Sequence, residues 1–208
     1  HSKSSSISKT VDILNNGSEI KVLSEDDDWY EVRTEKGYYG YIEKKHTDGE
    51  LVKLEYDNKV NYVRAQETEN ERINITWEYV YEKTPDISDE DKIQGLDVVI
   101  PTWFSLAEEG VIINKADFNY VEDAHEKGYK VWGLVDNAFN PDLTSELVNN
   151  DEMKEKFIGQ IAFYASIYDL DGINIDFENI YYEDKDALVK FVEELTYILK
   201  KQNLTVSI

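Results

Sequence analysis

The sequence predicts a parallel α/β barrel of the (β/α)8 type, preceded by a small all-β domain. Before about residue 48, short strand-like runs alternate with turn-rich segments, which is typical of a small all-β unit. From residue 73 onward, strand-like and helix-like segments alternate, which indicates a parallel sheet with right-handed crossovers. Polar groups lie within one strand and no glycine-rich phosphate loop follows the first strand, so a barrel is favoured over an open doubly wound sheet.

The predicted all-β domain covers residues 1–50, and its first ten residues are expected to be a disordered lead. Its strands are predicted at residues 19–23, 29–33 and 38–42, with turns at 15–17, 26–28 and 35–37. Residues 51–71 are interpreted as a connector that contains strand-like runs at 51–56 and 60–63. The barrel domain is then predicted to occupy residues 72–208.

The barrel elements follow one another in a regular order. Strands are predicted at residues 73–80, 96–104, 129–136, 171–178 and 204–208, and helices at 88–95, 115–127, 151–168 and 184–201. Ser88 with Asp91 three residues later is a capping-box pattern for the first helix, and Gly95 would end it. Four strand–helix units and the start of a fifth strand make only about half of a barrel, which usually takes about 250 residues. The chain therefore looks like a fragment whose unpaired edges would rearrange or self-associate.

The strand predicted at residues 171–178 carries the chemistry. Side chains alternate along a strand, so Asn174, Asp176 and Glu178 share one face and the intervening apolar residues share the other. Ionising one of two nearby carboxylates disfavours ionising the other. One carboxyl group can therefore stay protonated, as the acid of a glycosidase must. The alternative is a solvated acidic edge, which arises easily in so acidic a chain.

Residues 171–178, Asp-Gly-Ile-Asn-Ile-Asp-Phe-Glu, resemble the active-site strand of glycoside hydrolase family 18. The family pattern is Asp-Gly-x-Asp-x-Asp-x-Glu, so Asn174 replaces the middle Asp. Residues 75–80, 99–104 and 131–137 resemble the first three barrel strands of a bacterial branch that includes cell-wall and spore-cortex hydrolases. The resemblance covers about residues 72–208.

Residues 29–32 and 37–42, Trp-Tyr-Glu-Val and Gly-Tyr-Tyr-Gly-Tyr-Ile, resemble the bacterial SH3-like domain, which often precedes that branch of barrels. In other proteins such domains hold an enzyme to cell-wall peptide, and exposed aromatic residues could do so here. The alternative is that Trp29 and Tyr41 are core residues of a tiny barrel, since small domains need their large side chains inside.

The family resemblance implies retaining hydrolysis beside an N-acetylated sugar, in which the acetamido oxygen of the substrate attacks the anomeric carbon. Glu178 would protonate the leaving oxygen, and Asp176 would orient the acetamido group. Asp171 is expected to secure the start of the strand, and Asn174 to donate a hydrogen bond to Asp176 and change the pH profile. The family also uses a tyrosine and a tryptophan from later strands, so the 208-residue chain is expected to show little or no turnover.

Candidate substrate-binding residues lie near the carboxyl ends of strands, where barrel active sites collect. They are Trp103, Asp136, Asn137, Glu78 and Tyr181. For Tyr181 and its neighbour Tyr182, two roles are equally compatible with the sequence: they flank the groove, or they cap or pack against the adjacent structure. Trp77 and Trp132 are predicted to be core residues because apolar residues alternate around them.

The composition limits the partners. With 44 acidic and 22 basic residues, the net charge is −22, which argues against nucleic acid and anionic membrane surfaces. No run approaches the roughly 18 apolar residues of a membrane span. The first residues lack the basic and apolar regions of a signal peptide, so any export signal is expected to have been removed or left out. The absence of cysteine excludes disulfides and thiolate metal sites. The three histidines have no ligand spacing, so neither a metal nor another cofactor is expected.

Three functions remain open from the sequence. The first is a hydrolase of N-acetylglucosamine linkages in peptidoglycan, secreted or associated with the cell wall or spore, with the SH3-like domain bound to wall peptide. The second is a chitinase that uses the same chemistry. The third is a carbohydrate-binding barrel without catalysis, against which the intact Glu178 argues.

Overall fold

A computed structural model of the chain describes residues 1–34, 36, 38–47 and 72–208. The chain divides into two compact units, His1–Gln66 and Glu67–Ile208. The connector predicted at residues 51–71, with its strand-like runs at 51–56 and 60–63, lies outside the described residues. The domain bounds given above therefore stay a prediction.

The first unit contains an antiparallel sheet with the strand order β1-β2-β3. The strands are β1 (Ile20–Glu25), β2 (Trp29–Thr34) and β3 (Tyr39–Glu43), and each lies within two residues of its predicted position. Asp26 shapes the first turn, because its carboxylate accepts hydrogen bonds from the main-chain N–H groups of Asp28 and Trp29. The predicted all-β unit is therefore confirmed as a sheet.

The start of the chain is ordered, contrary to the expected disordered lead. The Ser2 N–H donates to the Lys9 carbonyl at 2.8 Å, and the Tyr41 N–H donates to the His1 carbonyl at 2.8 Å. These bonds close residues 2–9 into a turn and hold it against β3. Val32 and Tyr39 are buried, whereas Trp29 and Tyr41 are only half-buried.

The second unit is a mainly parallel sheet with the order β4-β5-β7-β8-β9, and β6 pairs with β5 in the antiparallel direction. The strands are β4 (Ile75–Glu78), β5 (Val98–Leu106), β6 (Ile112–Asn114), β7 (Lys130–Asp136), β8 (Gly172–Asp176) and β9 (Thr205–Ser207). The helices are α1 (Phe118–Glu126), α2 (Pro141–Val148), α3 (Asp151–Tyr168) and α4 (Lys185–Lys201). The predicted alternation and the parallel sheet are confirmed.

Three local predictions were incomplete or wrong. No helix forms at residues 88–95, because the Asp86 carboxylate accepts hydrogen bonds from the Ser88 N–H and hydroxyl and closes a turn instead. Strand β6 and helix α2 were not predicted. Helix α2 nevertheless has a clear start, since the Asn140 side chain caps it and Pro141 occupies its first turn.

The parallel sheet curls so that distant strands meet on its inner face. Two strands separate β4 from β8, yet the Trp77 indole N–H donates to Asn174 Oδ1 at 3.4 Å. The Asn174 Nδ2 group continues across the sheet to Ser207 Oγ at 2.9 Å. An indole can bridge β4 and β8 in this way only when the sheet bends strongly, as strands of a barrel do. A buried apolar cluster occupies the same inner face, formed by Val98, Ile100, Trp132 and Leu134.

The outer face of the sheet packs on the helices. Ile173 and Ile175 of β8 are fully buried, and Phe177 stacks on Phe191 of α4 with ring centroids 5.7 Å apart. The predicted separation of an apolar, helix-facing side from a polar side is therefore confirmed for β8. Close packing on this layer also explains Gly133, because a β-carbon there would lie 2.5 Å from the Phe104 ring.

Between α3 and α4, a half-buried carboxylate makes stability depend on pH. Glu194 lies 3.9 Å from the buried Lys154 ammonium, and burial raises the pKa of Glu194 more than Lys154 lowers it. A folded-state pKa above the ordinary 4.5 means that this group favours folding below pH 4.5 and loses that contribution as the pH rises through the folded value.

We therefore expect Glu194→Gln to raise the urea midpoint at pH 7 relative to the wild type. Gln keeps the neutral form that folding favours. The advantage should shrink as the pH is lowered below the ordinary pKa of Glu, where the wild-type carboxyl group is also neutral. Urea unfolding of both proteins at several pH values measures this, and a lower midpoint for the variant at pH 7 would contradict the prediction.

Candidate active site

Polar side chains collect where the parallel strands end at their carboxyl ends. Asp136 and Asp176 are register partners at the ends of β7 and β8, so their side chains leave the same face of the sheet. Glu178 follows β8 by two residues, and both Asp176 and Glu178 are exposed. Ser105 of β5 belongs to the same row, because it is the register partner of Asp136 on the other side. This end of the sheet thus presents a row of carboxylates to solvent.

The Asp136 carboxylate is held by two hydrogen bonds. Its Oδ2 atom accepts from the Ser105 hydroxyl at 2.9 Å, and its Oδ1 atom accepts from the Ala138 main-chain N–H at 2.7 Å. Each oxygen keeps lone-pair capacity, so the half-buried carboxylate can still accept from a sugar hydroxyl. Ser105 was not predicted, and only its position in the row next to Asp136 identifies it.

Asn137 does not face substrate, contrary to the prediction. Its side chain is 1% exposed and donates from Nδ2 to Thr144 Oγ1 and to the Glu178 carbonyl, both at 2.7 Å. Its Oδ1 atom accepts from the Glu178 N–H at 3.1 Å. Both N–H groups of the amide are therefore used inside the protein, one by the Thr144 hydroxyl and one by the main chain of Glu178, the predicted acid.

The prediction that Trp103 stacks on a sugar ring is also wrong. It is 1% exposed, its indole N–H donates to Thr84 Oγ1 at 2.9 Å, and its ring packs edge-on against Tyr120 of α1. The pairing register of β5 and β7 shifts between Thr102 and Phe104, as at a β-bulge. Such a shift changes the face to which the following side chains point.

Trp77 was predicted to be a core residue and is instead 61% exposed. It lies on the inner face, where its indole N–H contacts Asn174. The Asn174 Nδ2 group was expected to donate to Asp176, but it donates to Ser207 Oγ instead. Trp132, the other predicted core tryptophan, is buried at 5% exposure, which confirms that prediction.

Glu78 points away from the row of carboxylates. It alternates with Trp77 along β4 and so lies on the opposite, helix-facing side of the sheet. The pKa of Tyr120 on α1 is raised mainly by burial and, second, by the negative charge of Glu78. Glu78 is therefore close enough to that helix to influence Tyr120. The prediction that Glu78 reaches the cavity is therefore wrong.

Tyr181 has a structural partner that the sequence did not reveal. Its hydroxyl donates to Asp142 Oδ1 at 2.8 Å, and this bond to a carboxylate raises the pKa of Tyr181. The ring remains 44% exposed, so it can still flank a groove. Tyr182 is 75% exposed, with the Lys185 ammonium 4.7 Å from its ring centroid.

Asp171 lies at the opposite end of β8 from the candidate acid. Its Oδ2 atom accepts from the Val131 N–H at 2.8 Å and is 2.9 Å from His125 Nε2. Its main chain bonds to the Val131 carbonyl and to the Thr205 N–H. These contacts join the amino ends of β7, β8 and β9.

The loops that follow β7 and β8 contain strained backbone that was not predicted. Ala138, Phe139 and Asn179 have positive φ angles of 54°, 55° and 53°, and the Asn179 Nδ2 group donates to the Phe139 carbonyl at 3.1 Å. Asparagine tolerates this conformation, but Ala and Phe give no such signal in the sequence. Strain of this kind clusters at functional sites. The Phe139 ring is 63% exposed.

Within residues 1–34, 36, 38–47 and 72–208, no group of three or more His, Asp or Glu side chains is arranged to hold a metal ion. The described helices also include none that is long and apolar enough to cross a membrane.

Comparisons with known proteins agree with this architecture. Residues 1–48 match the family model of the bacterial SH3 domain. The spore cortex-lytic enzyme SleL of Bacillus megaterium has a similar structure, with a TM-score of 0.58 and 18% identity over 67% of this chain and 35% of that chain. A chitinase from Bacteroides thetaiotaomicron has a TM-score of 0.54 and 21% identity over 65% of this chain and 46% of that one. The second unit thus has the fold of chitinase-like and cortex-lytic glycosidases.

A sequence relative points in the same direction. The uncharacterized glycosylase YvbX of Bacillus subtilis is 28% identical over 115 residues, which is 52% of this chain and 33% of that protein. The chain therefore spans about a third of the length of this curated relative.

Proposed function

We propose that this chain belongs to a retaining glycosidase of glycoside hydrolase family 18 that cleaves N-acetylglucosamine linkages in peptidoglycan. The observation that carries the proposal is the pair Asp176 and Glu178, which are exposed at the carboxyl end of β8 and match the acidic positions of the family motif. The row of carboxylates around Asp136 supports it, because sugar hydroxyls are good donors to such groups.

Glu178 is the general acid in this proposal and Asp176 the residue that assists the substrate. The acetamido oxygen of the substrate attacks the anomeric carbon, and Glu178 protonates the departing oxygen. Asp176 orients the acetamido group and stabilises the positive charge that develops on it. Water, activated by Glu178, then opens the cyclic intermediate and restores the proton.

The proposal includes a barrel that is completed by further strands. The sheet described here has β4 and β9 at its edges, and Trp77 on its inner face is 61% exposed. Edges and apolar surface of this kind are usually covered in a native fold. The chain also covers only 33% to 46% of the relatives reported above. Without those further strands, the 208-residue chain is expected to turn over little substrate and to be prone to self-association.

The bacterial SH3 match supports a cell-wall or spore location and peptidoglycan as substrate. In the proposal this unit binds wall peptide and brings the barrel to its polymer. The similarity to a chitinase favours chitin as the second candidate, since the same chemistry cleaves that polymer. A catalytically inactive carbohydrate-binding barrel is the third candidate, and exposed Glu178 argues against it.

The test is to extend the chain to a complete barrel and incubate it with purified peptidoglycan and, separately, with chitin. Mass spectrometry of the released fragments identifies the bond that is cut. New N-acetylglucosamine reducing ends from peptidoglycan support the proposal, and release from chitin alone favours the second candidate. Binding to either polymer with no released fragment would leave only the binding module.

Asn174→Asp is expected to shift the acidic limb of the pH–rate profile to higher pH. Trp77 donates to Asn174 Oδ1 and Ser207 can reverse its hydroxyl, so an aspartate is accommodated at this position. Its negative charge, on the same face as Asp176, would raise the pKa of Asp176. The measurement is kcat/KM against pH for both proteins, and an identical profile would remove Asn174 from the site.

A further inference from the structure

The main-chain pairing of β7 and β8 ends just before the candidate acid. The last register pair is Asp136 with Asp176. Beyond it, the side chain of Asn137 takes the place of a main-chain partner. Its Oδ1 atom accepts from the Glu178 N–H at 3.1 Å, and its Nδ2 group donates to the Glu178 carbonyl at 2.7 Å. A side-chain amide has the donor and acceptor of a peptide group, so it can hold both main-chain groups of one residue.

We propose that Asn137 is a positioning residue that fixes the main chain of Glu178 and thereby the direction of its carboxyl group. This inference rests on the proposed function. Asn137 itself touches no reacting atom, because it is 1% exposed and all its contacts are internal.

The orientation of the Asn137 amide is determined by its partners. Nδ2 faces two acceptors, Thr144 Oγ1 and the Glu178 carbonyl, whereas Oδ1 faces the Glu178 N–H. An inverted amide would place two donors against each other at Glu178 and two acceptors at its carbonyl. Thr144 is fully buried on α2, so the helix holds the amide and the amide holds Glu178.

The strained residues on both sides explain why such a clamp is needed. Ala138 and Phe139 follow Asn137 with φ angles of 54° and 55°, and Asn179 follows Glu178 with φ 53°. Conformations of this kind persist only when surrounding contacts over-determine them. The Asn179 Nδ2 to Phe139 carbonyl bond of 3.1 Å supplies a second connection between the same two loops.

A general acid must lie within hydrogen-bond reach of the leaving oxygen, and a misplacement of about 1 Å can reduce the rate by about 100-fold. Glu178 lies beyond the last residue of β8, so the sheet alone does not hold it. A loss of the Asn137 clamp should therefore affect the chemical step more than substrate binding, which uses the surrounding surface.

The first part of the test needs no activity. Amide hydrogen exchange by NMR in the 208-residue chain should show the Glu178 N–H exchanging about tenfold faster in Asn137→Ala than in the wild type, because one hydrogen bond is lost. Asn137→Asp keeps an oxygen acceptor and should retain the protection. Asn149→Ala is the matched control. Asn149 follows α2 and, like Asn137, has a side-chain amide, but this amide donates to Asp184 and not to Glu178.

The second part measures kinetics in the protein extended to a complete barrel. Asn137→Ala should lower kcat about 10- to 100-fold with KM within about twofold, while Asn149→Ala keeps kcat. Asn137→Asp should also lower kcat, since it loses the donor to the Glu178 carbonyl. If Asn137→Ala fails to fold, Asn137→Asp decides the question by its kcat and KM, because it loses only the donor to the Glu178 carbonyl.

The proposal is overturned if the Glu178 amide exchanges equally fast in Asn137→Ala and Asn149→Ala, or if kcat is unchanged in a folded Asn137 variant. A wild-type protein with no glycosidase activity would instead refute the proposed function. It would also remove the catalytic meaning of the clamp, while the exchange rates would still show whether the clamp exists.

Discussion

Glu178→Gln is expected to reduce hydrolysis of peptidoglycan by the complete barrel about 100- to 10,000-fold. Glutamine has the shape of glutamic acid but cannot give a proton to the leaving oxygen. The contacts of Glu178 with Asn137 are made by its main chain, so the substitution leaves them intact. The loss should therefore appear in kcat, with the thermal midpoint and KM close to those of the wild type.

The measurement is the rate of formation of new reducing ends, with Glu183→Gln as the matched control. Glu183 is an exposed glutamate five residues beyond Glu178, and its carboxyl group has no role in the proposed mechanism. The control should retain the wild-type rate. A Glu178→Gln protein with more than about a tenth of wild-type activity would assign the acid to another residue.

Phe157→Ala is expected to lower the free energy of unfolding by about 3–5 kcal/mol. Phe157 on α3 is 0% exposed, and its ring lies 5.9 Å from Phe191 and 6.2 Å from Phe177. Removing it leaves a cavity at the place where α3, α4 and the end of β8 meet. Because Phe177 precedes Glu178, the same change should also loosen the candidate acid and lower kcat.

Urea unfolding measures this loss, provided that the m-value stays constant. Phe118→Ala is the matched control, since it removes the same atoms from a ring that is 53% exposed. We expect the control to lose much less stability than Phe157→Ala. A cost below about 1 kcal/mol for Phe157→Ala would show that the aromatic cluster is not an essential part of the core.

The sequence predicted well those features that depend on side-chain period. Alternation along β8 separates Ile173 and Ile175 from Asn174 and Asp176, and the structure has these two faces where they were expected. The 18-residue helix α3 was predicted with the correct ends, because Asn150 caps its start and its apolar stripe follows the helical period. Neither feature needs information from distant parts of the chain.

The predictions that failed depend on local irregularity or on distant contacts. The register shift after Thr102 pairs Ser105 with Asp136 and so brings Ser105, and not Trp103, into the inner row, and no residue type announces such a shift. Trp77 was mistaken for a core residue, because apolar alternation on an edge strand does not reveal which face of the strand is covered. Asn137 resembles a substrate ligand in sequence, but only the fold shows that Glu178, 41 positions later, occupies its amide.

The segment from Asp171 to Glu178 has a structural role at one end and a proposed catalytic role at the other. Asp171 fastens the amino ends of three strands, whereas Glu178 at the other end is exposed for chemistry. A one-residue insertion or deletion between them would turn every following side chain to the opposite face. Asp176 would then enter the packed helix layer, and Phe177 would take its place among the carboxylates. The spacing of this segment must therefore be inherited intact.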